Sequence, residues 1–177
     1  MTRFKRKISG ISWLIFAVSA NAVYGSEENM GMKLTSPAFE NGSSIPSRFT
    51  CDGSDVSPAL VIENVPVGTK TLALIVDDPD APMKTWVHWV VYDIDPAMKI
   101  IKENSVPGKQ GINDFRRNSW GGPCPPSGTH RYYFKLYALD NILGIGESID
   151  KKGLEKAMAG HILAESELVG LYKRGGN

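Results

Sequence analysis

The chain has 177 residues, of which 42% are hydrophobic and 22% are charged, which is enough for one compact domain and too little for two comfortable ones. Its 18 glycines and 11 prolines exclude collagen-like and low-complexity chains. The formal net charge of +1 excludes a globally basic nucleic-acid-binding protein and an acidic tail protein. Four basic residues lie among the first seven, and without residues 1–22 the chain has 16 basic and 19 acidic residues, a net charge of −3.

Residues 1–22 are expected to form a cleaved secretory signal peptide. The basic triplet Lys5-Arg6-Lys7 precedes an apolar stretch from Ile8 to Ala20, and Ala20-Asn21-Ala22 gives the small-x-small pattern of a signal peptidase site. The alternative is an uncleaved membrane anchor, but a span needs about 20 mostly apolar residues. This stretch is shorter, and serines and a glycine dilute it. Export is therefore expected, with the mature protein either periplasmic or secreted.

Beyond residue 22, no apolar run is long enough to span a membrane. Residues 23–31 are expected to be a flexible leader, and residues 32–177 a single domain. Cys51 and Cys124 are the two cysteines, and in an oxidising compartment an even pair indicates a disulfide. Two buried free thiols are the alternative. Neither cysteine has a Cys-x-x-Cys partner, so a zinc site built on thiolates is not expected.

Short apolar segments alternate with turn residues along the rest of the chain. The pattern predicts strands at Lys33–Ser36, Ala59–Ile62, Thr71–Val76, Trp86–Ile94 and Arg131–Leu139. Residues 102–129 contain five glycines and four prolines and are predicted to be a long loop. Lys151–Gly160 is predicted to be helical because Leu154 and Met158 are four residues apart, whereas Ile162–Tyr172 fits either a helix or a strand. Many short strands with little helix predict an antiparallel β-sandwich.

An acidic segment, Asp77-Asp78-Pro79-Asp80-Ala81-Pro82, combines three carboxylates with two prolines. The prolines remove backbone donors, so the segment cannot be a central strand. It is either an acidic surface turn or part of a site whose hydrogen bonds compensate the charges. At least one of the Asp78–Pro79 and Ala81–Pro82 bonds is expected to be cis, because the turn must aim Asp78 inward while the chain reverses.

A second segment, Gly121–Tyr132, leads from a glycine–proline loop into a strand. His130 and Tyr132 are two residues apart and project from one face of that strand, whereas Arg131 points the other way. A stiff rim beside histidine and tyrosine suits the capture of a small anion by N–H and O–H donors. The alternative is an ordinary loop before a strand.

Two more histidines remain. His88 lies inside the apolar segment Trp86–Ile94, where a lone histidine is usually structural, so a structural role and a site role both stay open. His161 has no comparable polar neighbours in the sequence and is expected to be structural.

Three ordered blocks carry a family resemblance: DPDAP at Asp78–Pro82, WVHWVVYDI at Trp86–Ile94 and GGPCPPSGTHRYYFKLYALD at Gly121–Asp140. They resemble the phosphatidylethanolamine-binding proteins, and within that family the bacterial branch often called Raf kinase inhibitor-like proteins. TCDGSDVSPAL at Thr50–Leu60 and AGHILAESELVGLYKR at Ala159–Arg174 fit the same branch. The resemblance implies an antiparallel β-sandwich with a small pocket at one end, and it implies that Ile162–Tyr172 is the last strand.

The pocket of that family binds anions such as phosphate or a phosphorylethanolamine-like head group. By position, the resemblance implies a pocket lined here by Asp78, His88, His130 and Tyr132, with Pro82 and Trp86 in the wall and the Gly121 and Gly122 backbone at the rim. Asp80 is implied to pair with Arg131 beneath the site. The C-terminal helix of eukaryotic members has no evident counterpart in residues 172–177, so their membrane and kinase functions are not carried over.

The leading functional hypothesis is an exported binding module that holds a small anion and acts in ligand binding, inhibition or signalling. The alternative is a hydrolase or a metal-assisted enzyme that uses the histidine–aspartate pocket. Ser119 and Ser127 lack a nucleophile-elbow pattern, and His88 and His130 are not at a metal-ligand spacing. No cofactor, metal ligand, catalytic residue or nucleic-acid partner is expected. A protein partner and the oligomeric state stay open.

N-terminal sequencing of exported protein is expected to begin at Val23. Signal peptidase needs small residues one and three positions before the cut, and Ala22 and Ala20 provide them. A first residue of Met1 would instead indicate the uncleaved anchor.

Overall fold

A computed structural model of the chain describes residue 1, residues 31–146 and residues 148–175. The expected signal peptide and leader lie almost entirely outside these residues. Within the described ranges, no helix has the length and apolar character needed to cross a membrane.

The described residues form eight strands, one 3-10 helix and one α-helix. The strands are β1 Lys33–Thr35, β2 Leu60–Glu63, β3 Thr71–Asp78, β4 Trp86–Ile94, β5 Ile100–Ile101, β6 Lys109–Gln110, β7 Thr129–Leu139 and β8 Ile162–Lys173. The 3-10 helix spans Ser47–Phe49, and α1 spans Lys151–Met158. A three-stranded sheet has the order β1-β2-β5 and a five-stranded sheet the order β6-β4-β3-β7-β8, with every pair antiparallel. The predicted antiparallel β fold is confirmed.

Strand β3 is the centre of the larger sheet, and all eight of its residues are buried. On one face, Leu72, Leu74 and Val76 join the main core that the two sheets share. On the other face, Ala73 and Ile75 belong to a second cluster that includes the buried face of α1. Each large aliphatic side chain buried in this way contributes about 1.5–3 kcal/mol. A strand covered on both faces explains why the sequence is continuously apolar here.

Helix α1 covers the second face of the larger sheet, and its prediction is confirmed. It begins after Asp150, whose side chain accepts a hydrogen bond from the backbone N–H of Gly153 at 2.8 Å, the usual N-cap interaction. Leu154 and Met158 are its buried residues, as their spacing predicts.

Several element bounds differ by one or two residues from the sequence-based expectation, and two short strands are additional. Strand β3 continues past Val76 to Asp78, because the buried carboxylate of Asp77 has cationic partners: Lys135 Nζ lies 3.0 Å and Lys151 Nζ 2.5 Å from its oxygens. The short strands β5 and β6 were not expected, and β6 lies inside the predicted long loop. Two residues carry too little periodicity to indicate a strand.

The segment Ile162–Tyr172 is a strand, as the family resemblance implies. β8 pairs with β7 from Leu139 opposite Ile162 to Thr129 opposite Lys173. Its outer edge is partly covered by the loop between β1 and the 3-10 helix. Gly42 N–H donates to Val169 O at 2.7 Å, and Ile45 N–H donates to Leu171 O, also at 2.7 Å.

The expected cis proline is wrong. The described residues contain no cis peptide bond, so the Asp78–Pro79 and Ala81–Pro82 bonds are both trans. The reason lies in the length of β3, because Asp78 is its last residue and pairs with Trp86 across the ladder. The strand itself therefore places the Asp78 side chain, and the turn that follows does not have to redirect it.

The disulfide between Cys51 and Cys124 is confirmed. The two sulfurs are 2.11 Å apart and the Cα atoms 5.4 Å apart. The N–H of Cys51 also donates to the carbonyl of Pro123 at 3.1 Å. The bridge therefore joins the loop before β2 to the loop before β7 at a point where the backbones already meet.

Replacing both cysteines, in Cys51→Ser/Cys124→Ser, is expected to lower the free energy of unfolding by about 4 kcal/mol with wide scatter, because the bridge closes a long loop in the unfolded chain. Denaturant unfolding with and without reductant measures the loss. Reductant should weaken the wild type and leave the double variant unchanged. Two free thiols in freshly exported wild-type protein, seen by alkylation and intact mass, would contradict the pairing.

Candidate functional site

A buried aspartate–histidine pair joins the end of β3 to the start of β7. Asp78 Oδ2 lies 2.7 Å from His130 Nδ1, and the two residues are 4% and 7% exposed. The other carboxylate oxygen, Oδ1, accepts a hydrogen bond from the N–H of Asp80 at 2.8 Å. Because a carboxylate accepts, the proton of the His130 ring lies on Nδ1. Nε2 is then the ring nitrogen that can interact with a ligand.

His88 occupies a β-bulge in β4. Val76 of β3 pairs with Trp89, but Asp77 pairs with Val87, so His88 is the extra residue between them. Bulges often re-aim a side chain beside a site. The His88 ring packs edge-on against Tyr132, with ring centroids 5.2 Å apart. The bulge therefore accounts for a histidine inside an otherwise apolar strand.

A carbonyl fixes the tautomer of His88. Its Nδ1 donates to the carbonyl of Gly121 at 2.6 Å, so the neutral ring carries a lone pair on Nε2. Burial is the main cause that lowers the pKa of His88, and the hydrogen bond to Gly121 and the charge of Asp78 oppose it. The ring is therefore neutral over a wider pH range than a free histidine.

A cavity of about 270 Å³ opens beside this histidine. It is lined by Asp78, Ala81, Pro82, Trp86, His88, Phe115, Cys124 and Pro126. The structure thus brings together four of the residues that the resemblance implies. His130 and Tyr132 are outside this lining. His130 contacts Asp78, and the fully buried Tyr132 contacts His88.

The Tyr132 hydroxyl is buried close to the Asp78 carboxylate and the Cys124 backbone. Its oxygen is buried and has no hydrogen-bond partner within the described residues. Burial is also the main cause that raises the pKa of this phenol, so the O–H stays protonated. A buried hydroxyl without an acceptor is unfavourable unless a ligand or water satisfies it.

The rim glycines do not offer free N–H groups, which differs from the sequence-based expectation. Gly121 N–H donates to His88 O at 3.2 Å, and Gly122 N–H donates to the Asp55 carboxylate at 2.7 Å. These bonds hold the rim in place. The close approach also requires glycine, because a Cβ on Gly121 would lie 2.5 Å from the Phe115 ring.

The implied pairing of Asp80 with Arg131 is present. Arg131 donates from its backbone N–H and from Nε at 2.9 Å each, and from Nη2 at 2.6 Å. The hydrogen bonds from the guanidinium hold the pKa of Asp80 at about 2. The turn after β3 is therefore fastened to the first residues of β7.

Sequence reasoning missed Phe115 and Asn113. The Phe115 ring packs edge-on against Trp86 and against His88, with centroids 5.5 Å away in both cases. Asn113 Nδ2 donates to His88 O at 3.0 Å and to Ser119 O at 2.8 Å. A large aromatic residue in a polar, glycine-rich loop is a signal that the loop packs inward, but Asn113 gives no comparable signal.

His161 lies apart from the pocket lining. It is partly exposed and pairs with Asp140, with Nδ1 and Oδ1 2.8 Å apart. Among the residues that the structure describes, no group of three or more His, Cys, Asp or Glu side chains is arranged to hold a metal ion.

The family model for phosphatidylethanolamine-binding proteins matches residues 35–173. The chain belongs to this family. A UPF0098 protein from Methanothermobacter thermautotrophicus is 48% identical over 152 residues, which cover 81% of this chain and all of that protein. Among solved structures, the phosphatidylethanolamine-binding protein homologue CT736 of Chlamydia trachomatis has a TM-score of 0.80 at 41% identity, covering 82% of this chain and 99% of that one. E. coli YbcL has a TM-score of 0.76 at 28% identity, covering 81% and 99%.

Alanine substitutions should lower the stability of the protein at the two rim glycines, Gly121 and Gly122, but not at Gly146. At Gly122 the new Cβ would meet the Phe49 carbonyl and the Asp55 carboxylate at 2.5 Å, and at Gly121 it would meet the Phe115 ring. Overpacking costs about 1–3 kcal/mol. The backbone beside Gly122 can move less than the Phe115 ring beside Gly121, so Gly122→Ala should be the most destabilised variant. Gly146→Ala is the control, because nothing lies within 4 Å. Equal unfolding midpoints for all three variants would contradict this packing.

Proposed function

We propose that this protein is an exported binding protein whose pocket holds a small anion, such as phosphate or a phosphorylethanolamine-like head group. One observation carries the proposal. Two buried histidines, His88 and His130, both donate from Nδ1 to protein acceptors at 2.6 and 2.7 Å. Each ring is thereby fixed; His88 lines the cavity, and His130 holds the Asp78 carboxylate that also lines it. Family membership supports a binding role for this pocket.

Binding of an unprotonated anion oxygen at these rings requires proton uptake by the ring. Nε2 of a neutral, Nδ1-protonated ring accepts hydrogen bonds, and it becomes a donor only when the ring takes a second proton. Burial lowers the pKa of His88, so the free pocket resists this protonation. A bound anion stabilises the imidazolium. Affinity for anions should therefore rise as pH falls through the titration of His88.

Tyr132 also supports an anion site beside His88. A hydroxyl that is buried without a partner lies beneath His88, and its ring contacts the His88 ring at 5.2 Å. We expect a water or a ligand oxygen held beside His88 to satisfy this donor, although Tyr132 itself lies outside the cavity lining. Charge-assisted hydrogen bonds contribute about 1.5–3 kcal/mol each, so a few such contacts account for useful affinity in a small pocket.

Export rests on the N-terminal pattern and on the disulfide. The basic and apolar residues before Ala22 are those of a secretory signal. The Cys51–Cys124 bridge is of a kind that persists in oxidising compartments. In that location we assign the protein a role in ligand binding, with inhibition of a partner or signalling to it as roles of the same pocket.

Calorimetric titration with phosphate and with phosphorylethanolamine tests the proposal. His88→Ala and His130→Ala should each lose about ten- to hundredfold in affinity, the equivalent of one charge-assisted contact. His161→Ala is the matched control, because that histidine is paired at the surface, and it should bind like the wild type. Because burial lowers the pKa of His88, measurements at the usual histidine value of about 6.5 and at more acidic pH should show tighter binding in the more acidic buffer.

Equal affinity in all four proteins would mean that these rings form no anion site. Turnover of a generic ester or phosphate substrate that is lost with His88→Ala, or a stoichiometric metal in the purified protein, would favour the enzyme alternative.

A further inference from the structure

The cavity beside His88 is larger than a single phosphate. Its volume of about 270 Å³ corresponds to roughly nine water molecules in the liquid, whereas phosphate has only five non-hydrogen atoms. The rest of the lining includes the rings of Pro82, Trp86 and Phe115. The space that remains therefore suits the carbon body of an organic anion, since apolar walls favour apolar groups.

Most cations near the pocket are already neutralised. Lys84 lies 5.6 Å from the Trp86 ring, but its ammonium is 2.5 Å from the Asp114 carboxylate. Arg131 is paired with Asp80. Neither has a full charge available for a ligand.

Arg117 is different. Its guanidinium lies 5.2 Å from the centre of the Phe115 ring, which itself lines the cavity. It is exposed, and no carboxylate pairs with it among the described residues. A guanidinium held against an aromatic ring is oriented yet keeps its fork of N–H donors for a carboxylate or phosphate.

The rim connects Arg117 with the histidine. A Cβ on Gly121 would lie 3.1 Å from Arg117 Nη2, and the carbonyl of the same glycine accepts the hydrogen bond from His88. Arg117 is therefore next to two residues of the site without being part of the cavity lining: Phe115, whose ring lines the cavity, and Gly121, which holds His88.

We propose that Arg117 forms a second anion-binding subsite at the mouth of the pocket. The ligand is then an organic phosphate with two separated anionic groups: a phosphate at His88, a carbon body against Trp86 and Phe115, and a second anionic group at Arg117. This inference rests on the proposed anion-binding function of the inner pocket and adds the chemical class of the ligand.

Two probes that differ by one charge test the inference: benzyl phosphate and 4-carboxybenzyl phosphate. The added carboxylate should strengthen binding to the wild type by about tenfold, as for one charge-assisted contact. In Arg117→Gln the two probes should bind equally, and Arg117→Lys should restore part of the difference. Arg116→Gln is the matched control. Arg116 is the neighbouring exposed arginine, it also has no carboxylate partner among the described residues, and its loss changes the net charge equally. It should keep the full difference.

The outcomes separate the two proposals. If the wild type binds benzyl phosphate in a His88-dependent way, but the carboxylate adds nothing or adds as much in Arg117→Gln as in the wild type, the second subsite is wrong and the anion pocket stands. If the gain in affinity from the carboxylate falls equally in Arg116→Gln and Arg117→Gln, the subsite is also wrong, because the carboxylate would then sense only the net charge of the protein. If the wild type binds inorganic phosphate in a His88-dependent way but neither benzyl probe, the organic-phosphate inference is wrong and the anion pocket stands. If it binds none of the three, both proposals are wrong.

Discussion

Two neighbouring carboxylates, Asp77 and Asp78, are buried at the end of the central strand, and the arrangement on both faces of the sheet follows from the need to satisfy them. An isolated charge in such a position costs several kcal/mol. Asp77 lies on the α1 side, where Lys135 and Lys151 reach it, and Asp78 pairs with His130 on the pocket side. The docking of the helix and the shape of the pocket therefore depend on adjacent residues of one strand.

Local patterns predicted much of the fold. Trp86–Ile94 has the predicted bounds because an apolar segment of that length between turns is unambiguous, and α1 follows from Leu154 and Met158 with its cap. The end of β3 was not predictable, because the lysines that stabilise Asp77 lie 58 and 74 residues further along the chain. The state of Ile162–Tyr172 was open for a similar reason, since its helix-forming residues become a strand only by pairing with β7.

The site was predictable in part. The residue types, and the segments that resemble the family, point to Asp78, His88 and His130, because few other side chains offer the ring nitrogens and the carboxylate that such a site uses. What they could not give is the detail that decides the chemistry. The Gly122 N–H is taken by Asp55, 67 residues away in the chain, and His88 is re-aimed by a bulge that no periodicity reveals. The rim is thus fixed before any ligand arrives, which reduces the ordering that binding must accomplish.

The partly covered edge of β8 has a consequence for how the protein behaves in a crowded compartment. An unpaired edge strand can template pairing with another chain and so start aggregation. Half of this edge is unavailable, because the backbone of Val169 and Leu171 already bonds to the loop that contains Gly42 and Ile45. The other half carries the exposed side chains of Glu165 and Glu167, and two such edges brought together would place like charges side by side. The larger sheet therefore ends at β8 and resists growth through contact with a second molecule.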